Sequence, residues 1–250
     1  MDPSVGYWPC KVGQWPIDKK KLLENFLVTE PSFHKTHTLT PYVTGSSVLG
    51  IKYKDGVMLA ADTLASYGSL ARFRLDRIKK INKTTLLAAS GEMSDFHSIV
   101  RDLDRMMTAE FCMNYGHEST AHEIFSYLSR VMYHKRNRFD PLWNQLVIAG
   151  FDSEGKSMLG YIDLNGTAFR DDAIATGFGA YLALPALRNN QSDQMTEESA
   201  FKLLEDCLKV LFYRDARASS EIQIAKITRD TIEISSPYKL STDWSLAKID

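Results

Sequence analysis

The apolar residues of this chain change their spacing in blocks, and the order of the blocks limits the fold more than any other feature of the sequence. Short runs come first: residues 47–53, a turn at Asp55-Gly56, the apolar run 57–61, then 77–81 and 84–89 around the polar Asn82-Lys83, closing on Ser90-Gly91. These read as four strands. Helical spacing then takes over. Phe96, Ile99, Leu103, Met106 and Met107 repeat at three and four behind Ser94 as N-cap. Thr120 and Glu123 have capping-box spacing at the head of a second helix. It sets Ile124, Leu128 and Val131 on one side and ends on the basic His134-Lys135-Arg136. Residues 143–151, 156–162 and 167–169 read as strands split by turns at 152–155 and 163–166. One helix after Gly179 is interrupted at Pro185. Another spans 196–213 with Ala200, Leu203, Leu204, Cys207, Leu208 and Leu211 inward. A last hairpin pairs 221–227 with 231–234 across Arg229-Asp230.

Strands, two helices, strands, two helices, strands: segregated blocks of this kind predict an α+β fold. Antiparallel sheets stack face to face with helices outside, in a four-layer αββα sandwich. With 44% hydrophobic residues the chain of 250 has enough apolar surface for such a core. The domain is expected over 38–240. Residues 1–37 hold four of the eight prolines, with Trp8 and Trp15, and read as an N-terminal extension removed as a propeptide. Residues 241–250 form a tail beyond the last hairpin.

A formal net charge of −1 gives no basic footprint for nucleic acid. Cys10, Cys112 and Cys207 are odd in number and far apart, which fits neither a disulfide framework nor a zinc knuckle and points to a reducing compartment. The histidines include no H-E-x-x-H, and no metal or other cofactor is expected. Met1-Asp2-Pro3 begins no basic-then-apolar leader, and no apolar run approaches the ~20 residues of a membrane span, so neither secretion nor membrane insertion is expected.

Thr44-Gly45-Ser46-Ser47-Val48-Leu49-Gly50-Ile51-Lys52, followed by Gly56-Val57-Met58-Leu59-Ala60-Ala61-Asp62, resembles the start of proteasome beta subunits. In those proteins a glycine precedes the threonine that becomes the N-terminus. The likeness continues through Ala88-Ala89-Ser90-Gly91, Ala175-Thr176-Gly177-Phe178-Gly179 and Tyr213-Arg214-Asp215-Ala216, and covers about residues 38–244. Pro141-Leu142-Trp143-Asn144 and the stretch Ser66-Tyr67-Gly68-Ser69-Leu70-Ala71-Arg72-Phe73 resemble the non-catalytic branch of that family in particular. The resemblance implies the N-terminal-nucleophile hydrolase fold.

An N-terminal nucleophile works because cleavage frees its own α-amine, whose ordinary pKa of ~7.7–8.0 lets it take the hydroxyl proton near neutral pH. In the resembling family an aspartate and a lysine stand beside that hydroxyl, and serines with a second aspartate hold the amine. Ser46 stands where the threonine would be, and serine can itself serve as such a nucleophile. Asp62 matches the strand aspartate, and Arg77 falls on the lysine position with one inserted residue. Arginine keeps its proton and offers a planar fork, which suits a fixed ion pair better than proton traffic. Asp215 matches the second aspartate, while Phe178 and Ala218 replace the two serines. Each position alone has a blander reading: a small-residue start to a strand, a strand-end turn former, a helix-capping turn. Their order along the chain favours a degenerate site.

The resemblance implies a non-catalytic structural subunit of the proteasome core, in cytoplasm and nucleus, serving ATP- and ubiquitin-dependent protein degradation. Its partners would be other beta subunits in a seven-membered ring, alpha subunits above, a second beta ring opposite and assembly chaperones, with no nucleic acid and no membrane. The N-terminal extension would be cut between His37 and Thr38. The tail, through Trp244, Leu246 and Ile249, would reach the opposite ring. Two alternatives stay open at this point. One is an active serine-type N-terminal hydrolase, which needs cleavage between Gly45 and Ser46 and tolerance of Arg77. The other is a stand-alone binding module on the same fold.

Overall fold

Along the third strand the side chains alternate between two buried destinations: Val57, Leu59 and Ala61 pack in one apolar cluster, Met58 and Ala60 in another. A strand with both faces covered reads as a continuous apolar run, which is how residues 57–61 appear in the sequence. The computed structural model describes residues 40–113, 116 and 118–245, and every statement below concerns these. Strands β1 (Thr44–Gly45), β2 (Val48–Tyr53), β3 (Gly56–Asp62), β4 (Leu64–Tyr67), β5 (Ala71–Arg74), β6 (Ile78–Lys80) and β7 (Thr85–Glu92) precede helices α1 (Met93–Met113) and α2 (Ala121–Asn137). Strands β8 (Asn144–Phe151), β9 (Ser157–Ile162), β10 (Ala168–Arg170) and β11 (Ala173–Ala175) follow, then α3 (Gly179–Leu182), α4 (Leu184–Asn190) and α5 (Glu197–Arg214). The described chain closes with β12 (Glu221–Thr228), β13 (Ile232–Ile234) and β14 (Tyr238–Lys239).

The strands form two antiparallel sheets. One runs β10-β9-β8-β7-β1-β4-β5 with β6 beside β7; the other runs β11-β2-β3-β12-β13 with β14 beside β12. Val48, Leu59, Leu86, Val147 and Ile227 are fully buried between the sheets. A second cluster joins Leu87, Ala89, Leu146 and Ile148 of the first sheet to Phe96, Leu103, Ile124 and Leu128 of α1 and α2. The third joins Leu49, Ile51 and Ile224 of the second sheet to Leu187, Leu204 and Leu208 of α4 and α5. Three apolar seams between four layers make the αββα sandwich that the block order predicts.

Local signals place several elements. Thr120 caps α2 through the expected capping box, its hydroxyl taking the Glu123 amide while the Glu123 carboxylate takes the Thr120 amide. Pro185 stands in the first turn of α4, where a missing amide costs nothing, and so divides α3 from α4. Thr196 caps α5. The Asp152 and Asp163 carboxylates fold the two predicted turns by accepting backbone amides two and four residues on.

Other expectations are corrected. Seven strands, not four, precede α1 among the described residues: β1 is two residues long, and β4 and β5 form a hairpin that contains the stretch 66–73, which the sequence showed only as a motif. Ser94 is not the N-cap of α1. The helix already begins at Met93, and the Ser94 hydroxyl donates to the Glu92 carboxylate at 2.6 Å. That carboxylate is buried and also accepts the Tyr42 and Val43 amides. Strands β11 and β14, of three and two residues, carry too few side chains to show a period.

Candidate active site

The chain leaves the first sheet at Gly45 and joins the second at Val48, so Ser46 and Ser47 bridge the two sheets. Strand β3 runs antiparallel beside β2 and ends on Asp62, which brings that carboxyl back to Ser46. Arg77, just before β6, is 1% exposed and its guanidinium fills the space between them.

Ser46 Oγ donates to Asp62, 2.9 Å from each carboxylate oxygen. Arg77 Nη2 meets Asp62 Oδ1 at 2.5 Å and also donates to the Ser47 carbonyl at 2.8 Å. Its Nη1 donates to the Ser46 carbonyl at 2.6 Å and its Nε to the Asp62 carbonyl at 2.9 Å. A weaker contact at 3.4 Å reaches the Ala89 carbonyl in β7. The fork thus ties the β1–β2 junction to the end of β3 in one sheet and to β7 in the other. Burial pushes the Asp62 carboxyl above the ordinary carboxylate range, while Arg77, the Ser219 amide at 2.8 Å and the Ser46 hydroxyl pull it down.

Gly45 makes room for this arrangement. A methyl group on it would lie 2.6 Å from Arg77 Cδ and 2.9 Å from Nη1. The glycine before the would-be nucleophile is therefore filled space next to a guanidinium.

Of the remaining sequence-predicted positions, Phe178 and Asp215 line one opening with Ser46. An open cleft of about 300 Å³ is lined by Gly45, Ser46, Gly91, Trp143, Phe178 and Asp215, among others. Asp215 is buried, and its carboxylate accepts the Arg217 amide at 2.9 Å. Phe178 is 60% exposed at the head of α3, following Gly177, whose φ of +57° suits glycine. Ala218 brings only its amide, which bonds the Asp215 carbonyl. Sequence reasoning missed the Ser219 amide on Asp62 and the Gln145 side chain that accepts the Gly177 amide at 2.8 Å. A backbone donor carries no residue-type signal, and Gln145 lies 32 positions from its partner.

Chemically, the site holds a hydroxyl and a carboxylate but lacks a mobile base. In the intact chain the Ser46 nitrogen is a peptide amide leading out of β1. That strand is paired on both sides, Gly45 opposite Ala65 of β4 and Gly91 of β7. An amide nitrogen takes no proton from a hydroxyl, and arginine does not release one near neutral pH.

Among the described residues no group of three His, Cys, Asp or Glu side chains could hold a metal ion, and no helix is long and apolar enough to cross a membrane. His37 and Thr38, the expected cleavage pair, lie outside the described residues, as do Leu246 and Ile249. Trp244 is described: it stands edge-on to Tyr213, ring centroids 5.0 Å apart, and to Phe212 at 5.7 Å, and is 53% exposed.

The family model described as "Proteasome subunit" matches residues 42–227. A proteasome subunit beta type-4 of Dictyostelium discoideum is 50% identical over 211 residues, covering 83% of this chain and 81% of the relative. The beta type-4 subunit of Arabidopsis thaliana is 48% identical, covering 84% and 85%. A proteasome subunit beta type-7 of Saccharomyces cerevisiae is 39% identical over 205 residues, covering 78% of this chain and 77% of its own length.

Proposed function

Since the chain belongs to the proteasome subunit family, we propose that Arg77 marks it as a subunit that builds the particle and leaves catalysis to its neighbours. It is a non-catalytic structural subunit of the proteasome core particle, a threonine-type protease complex, and it assembles with other proteasome subunits. The observation that carries this reading is the saturated guanidinium. Arg77 spends its donors on Asp62 and on the carbonyls of Ser46, Ser47 and Asp62, so the group beside the hydroxyl is a fixed clamp. Phe178 and Ala218 supply no hydroxyl in support.

The finer reading has the chain in a seven-membered beta ring, with alpha subunits above, a second beta ring opposite and chaperones attending assembly, in cytoplasm and nucleus. Residues 1–37 are removed before Thr38 by a neighbouring active subunit, because this chain has no competent nucleophile of its own. The tail from Ser241 contacts the opposite ring. What supports these steps is the family and the order of motifs.

The reading of Ser46 as an active serine nucleophile is not favoured, since in the intact chain its own nitrogen is a peptide amide and the one carboxylate on its hydroxyl, Asp62, is already held by Arg77 and the Ser219 amide. Replacing the chromosomal copy with Ser46→Ala is the test. Particle yield and every peptidase activity of the particle should match wild type. Loss of one activity with normal assembly would return Ser46 to the catalytic list.

A further inference from the structure

The carboxyl end of α2 carries a residue in a conformation its side chain disfavours. Phe139 has φ +55°, the only positive φ outside glycine among the described residues. It follows the C-cap Arg138, where a glycine usually ends a helix, and the hydrogen bonds of a glycine-type stop are present. The Phe139 amide reaches the Arg136 carbonyl at 3.1 Å and the Asp140 amide reaches the Lys135 carbonyl at 3.1 Å. Lys135 also pairs with the Asp140 carboxylate at 3.0 Å. The backbone is therefore held from both sides of the bend.

The phenyl ring gains nothing from the fold in return. Phe139 is 89% exposed, the highest of the large apolar residues described, and belongs to none of the three core clusters. Glycine or asparagine would serve the turn better, and a polar side chain would serve the solvent better. Around it the helix end is basic, with His134, Arg136 and Arg138 all exposed. The Arg136 side chain is steadied by Asn137 at 3.1 Å and lies over the Tyr133 ring.

We propose that Phe139 is an assembly anchor: a rigidly presented aromatic knob with a basic collar, which inserts into an apolar, acid-rimmed pocket on a neighbouring subunit of the particle. The inference rests on the chain's place among proteasome subunits. A braced αL turn presents the ring without the entropy cost of ordering a loop, and a buried aromatic with a charged rim is the usual composition of an interface centre.

The experiment separates the ring from the backbone. Full-length Phe139→Gly, Phe139→Ala and Phe139→Tyr chains, each tagged, are expressed beside the untagged wild type, and the tagged share in assembled particles is compared with that in the free pool. Glycine relieves the turn, alanine removes the ring but keeps the disfavoured φ, and tyrosine keeps the ring. Incorporation should fall about tenfold or more for Gly and Ala and stay near wild type for Tyr. The melting temperature of the free Gly variant should stay level or rise by about 2 °C. Equal incorporation of all three variants overturns the proposal. So does reduced incorporation of Gly matched by a lower melting temperature, because folding would then explain it. If tagged wild type never enters a particle, the reading of the chain as a subunit has failed instead.

Discussion

At the scale of single residues, the meeting of Ser46, Asp62 and Arg77 was legible, because the motifs that carry them stand in order along the chain. What Arg77 does there was not legible. Its partners, apart from Asp62, are mostly backbone carbonyls at Ser46, Ser47, Asp62 and Ala89, and a carbonyl has no signature in sequence. The space it occupies is set by Gly45, whose smallness reads equally as a cleavage-site glycine or as room for a guanidinium. The clamp has a measurable value. Arg77→Met keeps the apolar stem and removes the fork, leaving the buried Asp62 carboxylate with only Ser46 and the Ser219 amide. Unfolding of the full-length chain in urea should show a loss of about 3–5 kcal/mol, the range for breaking a buried ion pair from one side. A loss under about 1 kcal/mol, the range of exposed pairs, would mean that the fork contributes little to the junction.

Elements were legible where the signal is local. The Thr120–Glu123 capping box, the Pro185 break and the two Asp-led turns each lie within a few residues of the bonds they make. Strand β1 was not legible, since its two residues exist as a strand only through Ala65 and Ser66 on one side and Gly91 and Glu92 on the other. Nor did the sequence show where the tail begins its course. The Asp243 amide donates to the Tyr213 hydroxyl at 2.7 Å and Trp244 rests on Tyr213 and Phe212, so the end of α5 holds the described part of the tail. These contacts touch one helix end, and Trp244 stays half exposed, so deleting residues 243–250 should leave the subunit folded. The proposed arm then makes a clear demand. On native gels the truncated chain should accumulate in half-particles, with double-ring particles depleted; undiminished double-ring yield would make the tail a surface clasp and nothing more.

At the scale of the molecule, the four-layer order was legible from the blocks of apolar spacing, because each change of period corresponds to a change of layer. The crossing between sheets at Ser46–Ser47 was not, since it involves residues too small to contribute to any period. That crossing is where the resemblance would put the nucleophile, and here it is occupied by a peptide amide, a serine hydroxyl held on a carboxylate and an arginine fixed by its surroundings. A non-catalytic role requires that this chain never present Ser46 as a free N-terminus. The direct measurement is to treat purified, assembled particles with a peptide epoxyketone, which captures a hydroxyl together with its own free α-amine, and to map the N-terminus and adducts of every subunit by mass spectrometry. Adducts should appear on neighbouring subunits, with this chain unlabelled and its N-terminal peptide beginning upstream of Gly45. A peptide from this chain that begins at Ser46 and carries the adduct would contradict the account.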